Sequence, residues 1–394
     1  MKSTENHLVM GRRNALKMLG LSSAAMLTGG FGSIAAAGVA DIKPKPKSLV
    51  STGRSTVAFT TGTDRREMIF EVMKPFEKQI RTGLKGKQLI IKPNMVVTNV
   101  ALCATHVEAL RSLLEYLKPI YHKQIIIAES SSQVNSADGF KNYRYLDLAK
   151  EYDIKFIDLN TSNGSPYYIL DRNLHLDKIQ ISDVFVNPDN YFISISRLKT
   201  HNTVVMTGGI KNMVMAAPLN LPAVNGNRPL NYKRNMHSGG PRWLHFNMYL
   251  MAQSVRPDFT IIDGVEGMEG NGPIGGTPVD HRIALAGEDV VAVDSMCARL
   301  MGIPLENVGY LNYCAAAGLG NIDREKIDII GGKDPDQHVI NYKLSSNSAY
   351  QLEWKEPLNL PAPTFGPAPT PAQAPTQAPQ APAPAAAPSV PAPK

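Results

Sequence analysis

Residues 192–218 carry several polar side chains of types that occur at binding and catalytic sites. Lys199 and His201 follow an apolar run there, and Lys211 and Asn212 follow a Gly-Gly turn. Amines, an imidazole and an amide beside glycines, which let a backbone approach a ligand, favour an anion-binding or metal-assisted site. The alternative is a solvated loop that carries basic residues without a function. In the first interpretation, the candidate catalytic residues are Lys199, His201 and Lys211.

Further polar residues lie directly after other strand-like apolar runs. Lys92 and Asn94 follow the first run, Glu129 follows the second, and Asp263 follows a later one. Ligands of open parallel sheets bind outside the carboxyl ends of the strands, so these positions predict one shared site. The expected substrate-binding residues of this site are Lys92, Asn94, Asn212 and Glu129.

The segment 263–278 is rich in glycine and also carries carboxylates. Glycine turns with acidic side chains suit a hydrated divalent cation, so Asp263 and Glu269 are candidate metal ligands. His237 is a further candidate, because an imidazole nitrogen suits zinc, iron or manganese. A structural Gly-rich hairpin over the sheet is the alternative. The segment matches neither the P-loop pattern nor the dinucleotide-binding GxGxxG pattern.

Strand-like apolar runs alternate with helical patterns between residues 55 and 357, which predicts an α/β domain. The pattern favours a largely parallel, doubly wound sheet with helices on both faces and Gly-rich loops at the carboxyl ends of the strands. The expected strands are 88–92, 124–128, 155–159, 183–186, 192–196 and 259–262, and the expected helices are 106–117, 145–152, 243–254 and 289–301.

Residues 1–40 have the features of a twin-arginine signal peptide. Arg12 and Arg13 precede an uncharged stretch rich in small residues. These features predict export by the twin-arginine translocase to the periplasm or another extracytoplasmic space, with a linker over 41–54. An uncleaved N-terminal segment that anchors the protein is the alternative.

Residues 358–394 form a tail that is rich in Pro, Ala and Gln. Such a composition cannot bury a core, so it predicts a disordered or extended segment. The tail is expected to act as a spacer, as a tether to an envelope partner, or as a solubilising segment.

Composition excludes several classes of function. Cys103, Cys297 and Cys314 are too few and too widely spaced for an iron–sulfur cluster or a zinc finger. Buried free thiols are expected, with a disulfide between Cys297 and Cys314 as the alternative. The net charge of +7 is distributed among interspersed acids, without a basic stripe, so nucleic acid is not an expected partner.

Several of these motifs occur in the same order in a known family. They are KPN at 92–94, Glu129, RLKTH at 197–201, TGGIKN at 207–212, DGVEGMEGNGP at 263–273 and LAGEDVVAVDSMCARLMG at 285–302. On these motifs the chain resembles the domain-of-unknown-function family 362 over residues 87–332. Some members of that family add a segment with closely spaced cysteines for a cluster, which this chain lacks. The family is defined by sequence, so the resemblance implies no particular catalytic residue.

These observations predict an exported α/β enzyme that acts on a small anionic substrate, with a divalent metal as a candidate cofactor. The second hypothesis is a non-catalytic protein that binds a ligand or cofactor for an envelope redox partner. A purely structural envelope protein is the third. The sequence specifies neither the reaction nor the substrate.

Overall fold

The computed structural model describes residues 53–133, 135–222 and 229–357. The predicted signal peptide and the Pro-rich tail lie outside the described residues. Within them, one sheet of nine strands is accompanied by two ribbons of two strands each. The strands are β1 (Ser55–Thr61), β2 (Gln88–Pro93), β3 (Ile125–Glu129), β4 (Ile154–Asp158), β5 (Gly164–Leu170), β6 (Leu176–Ser182), β7 (Asn190–His201), β8 (Val205–Thr207), β9 (Asn220–Leu221), β10 (Leu230–Asn231), β11 (Phe259–Asn271), β12 (Gly275–Gly287) and β13 (Ile327–Ile330).

Helices occupy the connections between many of these strands. They are α1 (Arg65–Met73), α2 (Glu77–Gly83), α3 (Val107–Leu117), α4 (Ala137–Asn142), α5 (Gly209–Val214), α6 (Tyr232–Met236), α7 (Pro241–Ala252), α8 (Val290–Leu300), α9 (Gly309–Ala316) and α10 (Ser348–Gln351).

The central sheet is mixed but mostly parallel. Its strand order is β13-β1-β12-β11-β7-β2-β3-β4, with β8 paired to β7. The pairs β11–β7, β7–β2, β2–β3, β3–β4 and β1–β13 are parallel, whereas β12 is antiparallel to both of its neighbours. The prediction of a largely parallel α/β sheet is confirmed. The strands β3, β2 and β7 therefore end at the same edge, where ligands of such sheets bind.

Hydrophobic side chains cover both faces of this sheet. Ile90 and Phe192 belong to one buried cluster, whereas the next residues along the two strands, Ile91 and Ile193, belong to another. This alternation follows from the two-residue period of strands that are buried on both faces. Helices α7 and α8 contribute side chains to the first cluster, and α1 and α3 contribute to the second.

Two local predictions differ from the structure. Residues 183–186, predicted as a strand, contain a 3-10 helix at Asp183–Phe185, which follows β6 directly. Residues 145–152, predicted as an α-helix, contain the 3-10 helix Tyr145–Lys150. Short apolar runs fit a strand and a buried helical turn equally well, because too few residues are present to establish a period.

The Gly-rich segment 263–278 lies in the hairpin of β11 and β12 rather than in an open loop. Its position in the sheet places Met268 opposite Lys199 of β7. A Cβ atom on Gly272 would come within 2.1 Å of the Thr200 carbonyl oxygen, so this glycine is required by a close backbone approach. The segment therefore has the hairpin structure that was the alternative for this sequence.

All three cysteines, Cys103, Cys297 and Cys314, are buried and free, which agrees with the expected buried thiols. Among the residues that the structure describes, no helix has the length and apolar character needed to cross a membrane.

Candidate functional site

Strand β7 carries two of the predicted catalytic residues to the carboxyl edge of the sheet. It extends to His201, beyond its predicted end, and all of its residues are buried. Lys199 and His201 are two positions apart, so their side chains leave the strand on the same face. Lys199 Nζ donates hydrogen bonds to the Asn94 side chain and, at 2.8 Å, to the Cys103 carbonyl oxygen. These bonds tie β7 to the segment that follows β2.

Asn212 of α5 connects the ends of two neighbouring strands. Its Oδ1 accepts hydrogen bonds from Lys92 Nζ at 3.0 Å and from Asn94 Nδ2 at 3.2 Å. Its Nδ2 donates to the Lys92 carbonyl oxygen at 3.0 Å and to Ser194 Oγ at 2.9 Å. Both ends of the amide are satisfied, so its orientation is set by its partners.

Lys92 and Glu129 form an ion pair that is almost fully buried. Lys92 Nζ lies 2.7 Å from Glu129 Oε1, and the two side chains are 1% and 2% exposed. Burial lowers the pKa of Lys92 and raises the pKa of Glu129, while their mutual attraction opposes both shifts. Hydrogen bonds thus connect five sequence candidates into what we call the lysine–asparagine network: Glu129, Lys92, Asn212, Asn94 and Lys199.

The start of α5 is held by a buried carboxylate. Asp294 of α8 accepts hydrogen bonds from the backbone N–H groups of Gly209 at 2.6 Å and Ile210 at 3.0 Å. A Cβ atom on Gly208 would come within 2.3 Å of Asp294 Oδ1, and one on Gly209 would come within 2.6 Å of Thr260 Cγ2, so both positions require glycine. Asp294 therefore positions the helix that presents Lys211.

Lys211 differs from the lysines of the network. It is only 7% exposed, yet its Nζ has no hydrogen-bond or ion-pair partner among the described residues. Burial lowers its pKa to about 8. Burial also lowers the pKa of Lys199 to about 7, and the nearby positive charge of Lys211 contributes to that shift. Nζ is not one of the fully buried unpartnered atoms of the described residues, so the amine keeps some contact with solvent and makes no bond to the described chain.

His201 is held as a neutral imidazole. Its Nδ1 accepts hydrogen bonds from the backbone N–H groups of Thr203 at 2.9 Å and Val204 at 3.3 Å. Burial lowers the pKa of His201 well below its ordinary value, and the charge of Lys211 lowers it further. Because Nδ1 is an acceptor, the hydrogen of the neutral ring is on Nε2. Nε2–H has no partner among the described residues, so His201 offers a second free donor.

One buried lysine of this region, Lys233 of α6, was missed by the sequence analysis. Its Nζ donates to Ser130 Oγ at 2.5 Å and to the carbonyl oxygens of Met215 at 3.1 Å and Ala216 at 3.3 Å. Burial lowers the pKa of Lys233 to about 7. A lone lysine in a polar segment resembles a solvated residue, so the sequence contains no signal that marks it.

The serines that follow β3 lack the features of an acyl-transfer site. The backbone N–H groups of residues 130–132 donate to Glu129 Oε1, Ser136 Oγ and Val96 O at 2.6, 3.0 and 2.9 Å. Acyl transfer requires free N–H donors aimed at the developing oxyanion. Since these three donors already have partners, they are not available to an oxyanion.

The three predicted metal ligands have separate partners in the structure. Asp263 pairs with Arg65, whose Nε lies 3.0 Å from Oδ2. Glu269 Oε2 accepts a hydrogen bond from the Lys343 backbone N–H at 2.8 Å, and His237 Nδ1 lies 2.9 Å from a backbone carbonyl oxygen. Within the described ranges, no group of three or more His, Cys, Asp or Glu side chains is placed to hold a metal ion. The structure does not assemble these three residues into one ligand set.

The fold and the site together define an α/β protein whose mostly parallel sheet carries a buried cluster of basic side chains at its carboxyl edge. The chain belongs to the family described as Domain of unknown function (DUF362). The family model matches residues 89–299, which is more than half of the chain and includes the whole lysine–asparagine network.

The chain is also similar to a protein from a cyanobacterium, the thylakoid-associated protein sll1697 of Synechocystis sp. The two are 26% identical over 214 residues, which cover 53% of this chain and 61% of the relative. The chain thus matches about three fifths of that protein's length.

Two solved structures are similar to part of this chain. The apoprotein of lactate racemase from Thermoanaerobacterium thermosaccharolyticum has 14% sequence identity and a TM-score of 0.35, over 63% of this chain and 57% of that chain. A protein from Thermotoga maritima has 9% identity and a TM-score of 0.36, over 66% and 61%. Both TM-scores are too low to bear on activity.

We expect His201 to stay neutral, with its hydrogen on Nε2, when the pH is lowered from about 8 to about 5.5, although a free imidazole protonates near about 6.5. The reason is that burial and the charge of Lys211 both oppose a positive charge on the ring. Two-dimensional ¹⁵N NMR of the imidazole side chains measures the tautomer, and the variant His201→Gln assigns the signal. A His201 ring that titrates near its ordinary pKa, or that carries its hydrogen on Nδ1, contradicts this geometry.

Proposed function

We propose that this protein is an enzyme that binds a small anionic substrate at the carboxyl edge of its sheet. Lys211 and His201 contact the anion in this proposal. The observation that supports it is the presence of two unpartnered donors, Lys211 Nζ and His201 Nε2, within one buried cluster of basic residues. A small anion supplies the acceptor that both donors lack.

The charge balance of the cluster favours an anion over a cation. Lys92, Lys199 and Lys211 are all buried, and among the described residues Lys92 is the one of the three that forms an ion pair, with Glu129. An unpaired charge in a buried environment costs free energy, and a bound anion removes that cost. A divalent cation would add to the positive charge instead.

The lowered pKa values favour an enzyme over a passive binding protein. Burial brings the pKa of Lys199 to about 7 and that of Lys211 to about 8, so both amines exchange protons close to neutral pH. Such perturbed groups cluster at catalytic sites, where acid–base chemistry needs a pKa near the working pH. In this proposal Lys199 positions Asn94 and the end of β2, and Lys211 acts on the substrate directly.

With oxalate as the probe, we expect the dissociation constant of the full-length protein to increase about tenfold between about pH 7 and about pH 9. The protonated amine binds the anion, and Lys211, with a pKa of about 8, loses that proton over this interval. Oxalate keeps its charge over the same interval, so a change in the dissociation constant arises from ionisation of the protein. Isothermal titration calorimetry at each pH gives the affinity.

Two variants make this experiment specific. Lys211→Arg keeps a positive charge at every pH used, so its affinity for oxalate should depend less on pH than that of the wild type. Lys123→Met removes an exposed lysine and should behave like the wild-type protein. Oxalate binding that does not depend on pH in the wild type, or that survives unchanged in Lys211→Met, would remove Lys211 from the site.

We also propose that the protein is exported by the twin-arginine translocase, on the basis of Arg12 and Arg13 and the uncharged segment after them. Replacing both arginines by lysine should leave the protein in the cytoplasm of a bacterial host, because the twin-arginine translocase recognises the arginine pair. Immunoblots of cytoplasmic, membrane and periplasmic fractions measure the distribution, with Lys2→Arg as the matched control. Equal periplasmic amounts of the double variant and the control would refute export by this route.

A further inference from the structure

Four lysines lie buried around the carboxyl edge of the sheet, and three of them are fully engaged. Lys92 bonds to Glu129 and Asn212. Lys199 and Lys233 likewise donate to side-chain and backbone oxygens. These three amines hold together the elements that form the site.

Lys211 alone among these four has an amine with no partner in the described chain. It projects from a helix whose start is fixed by two hydrogen bonds to Asp294. The helix therefore presents the amine from a fixed position. When the amine is neutral, its lone pair is not used in a structural bond. An amine that serves only the fold would be expected to have acceptors, as the other three do.

The surroundings of Lys211 also suit a nucleophile. Amines become nucleophilic at moderate pH when they are desolvated or lie next to another cationic group. Lys211 meets the first condition, because burial lowers its pKa to about 8, and it lies close enough to Lys199 for its charge to lower the pKa of that second amine. His201 Nε2–H can hold an anionic group of the substrate beside the amine, since that donor is free.

We propose that Lys211 forms an imine with a small anion that carries an aldehyde or ketone group, of which the 2-oxo acids are the simplest class. This inference rests on the proposed anion-binding function and specifies its substrate class. The carboxylate of such a molecule lies one bond from the carbonyl carbon. In this proposal His201 Nε2–H binds the carboxylate, and Lys211 Nζ reacts with the carbonyl carbon.

The step is balanced without a further reactant. The neutral amine attacks the carbonyl carbon, a C–N bond forms, and the carbonyl oxygen takes up protons and leaves as water. Overall, one ammonium and one carbonyl group give one protonated imine and one water molecule. The positive charge stays on the nitrogen, inside a site that already favours a bound anion.

Glyoxylate and oxalate form a matched pair of probes, because both carry carboxylate but only glyoxylate has a reactive carbonyl group. The full-length protein is incubated with glyoxylate and sodium cyanoborohydride, which reduces an imine to a stable carboxymethyl amine. Peptide mass spectrometry then compares the labelling rate of Lys211 with that of the exposed Lys123. We expect Lys211 to be labelled at least about tenfold faster than Lys123, and oxalate to protect Lys211 by competition.

The two probes, used on the wild-type protein, separate this inference from the proposed function, because oxalate binding reports the anion site and glyoxylate labelling reports the imine. If the wild type binds oxalate but Lys211 is labelled no faster than Lys123, the imine is refuted and the anion site stands. If the wild type neither binds oxalate nor shows fast labelling, both proposals are refuted.

Discussion

The burial of several lysine amines at one edge of a parallel sheet is the constraint on which the rest of the site depends. An ammonium group that is removed from water requires hydrogen-bond acceptors inside the protein. The chain provides such acceptors to some of these lysines and not to others. Lys92 is paired with Glu129, and Lys199 is bonded to Asn94 and a backbone carbonyl oxygen. Lys211 receives no such acceptor from the described residues. The fold thus fixes a basic cluster and leaves one of its amines without an acceptor from the described residues.

Two adjacent residues of α5 differ in their hydrogen bonding. Asn212 uses both ends of its amide to join β2 and β7, whereas Lys211 on the same short helix remains unbonded. The carboxylate of Asp294 fixes the start of that helix from the opposite side. This arrangement explains how the sequence TGGIKN serves the site. Gly208 allows the close approach to Asp294, Asn212 joins the strands, and Lys211 is the residue that we propose to contact the ligand.

Much of the fold was predictable, because strands that are buried on both faces give continuous apolar runs with polar residues at their ends. That rule also predicted the proximity of Lys92, Glu129 and Lys199, which come from three parallel strands. The partners of the candidate metal ligands were not predictable. Asp263 is paired with an arginine that is distant in sequence, and no local sequence pattern indicates that ion pair. Lys233 was missed for the same reason, since its acceptors are brought together only by tertiary structure.

The central claim is that Lys211 and His201 receive an anion. A crystal of the full-length protein soaked in sodium bromide, with anomalous diffraction recorded at the bromine absorption edge, tests this claim most directly. We predict a bromide peak in contact with both Lys211 Nζ and His201 Nε2, which disappears in the variant Lys211→Met while bromide at surface lysines remains. Bromide at surface lysines alone, with the space beside Lys211 and His201 empty, would contradict the assignment of this cluster as an anion site.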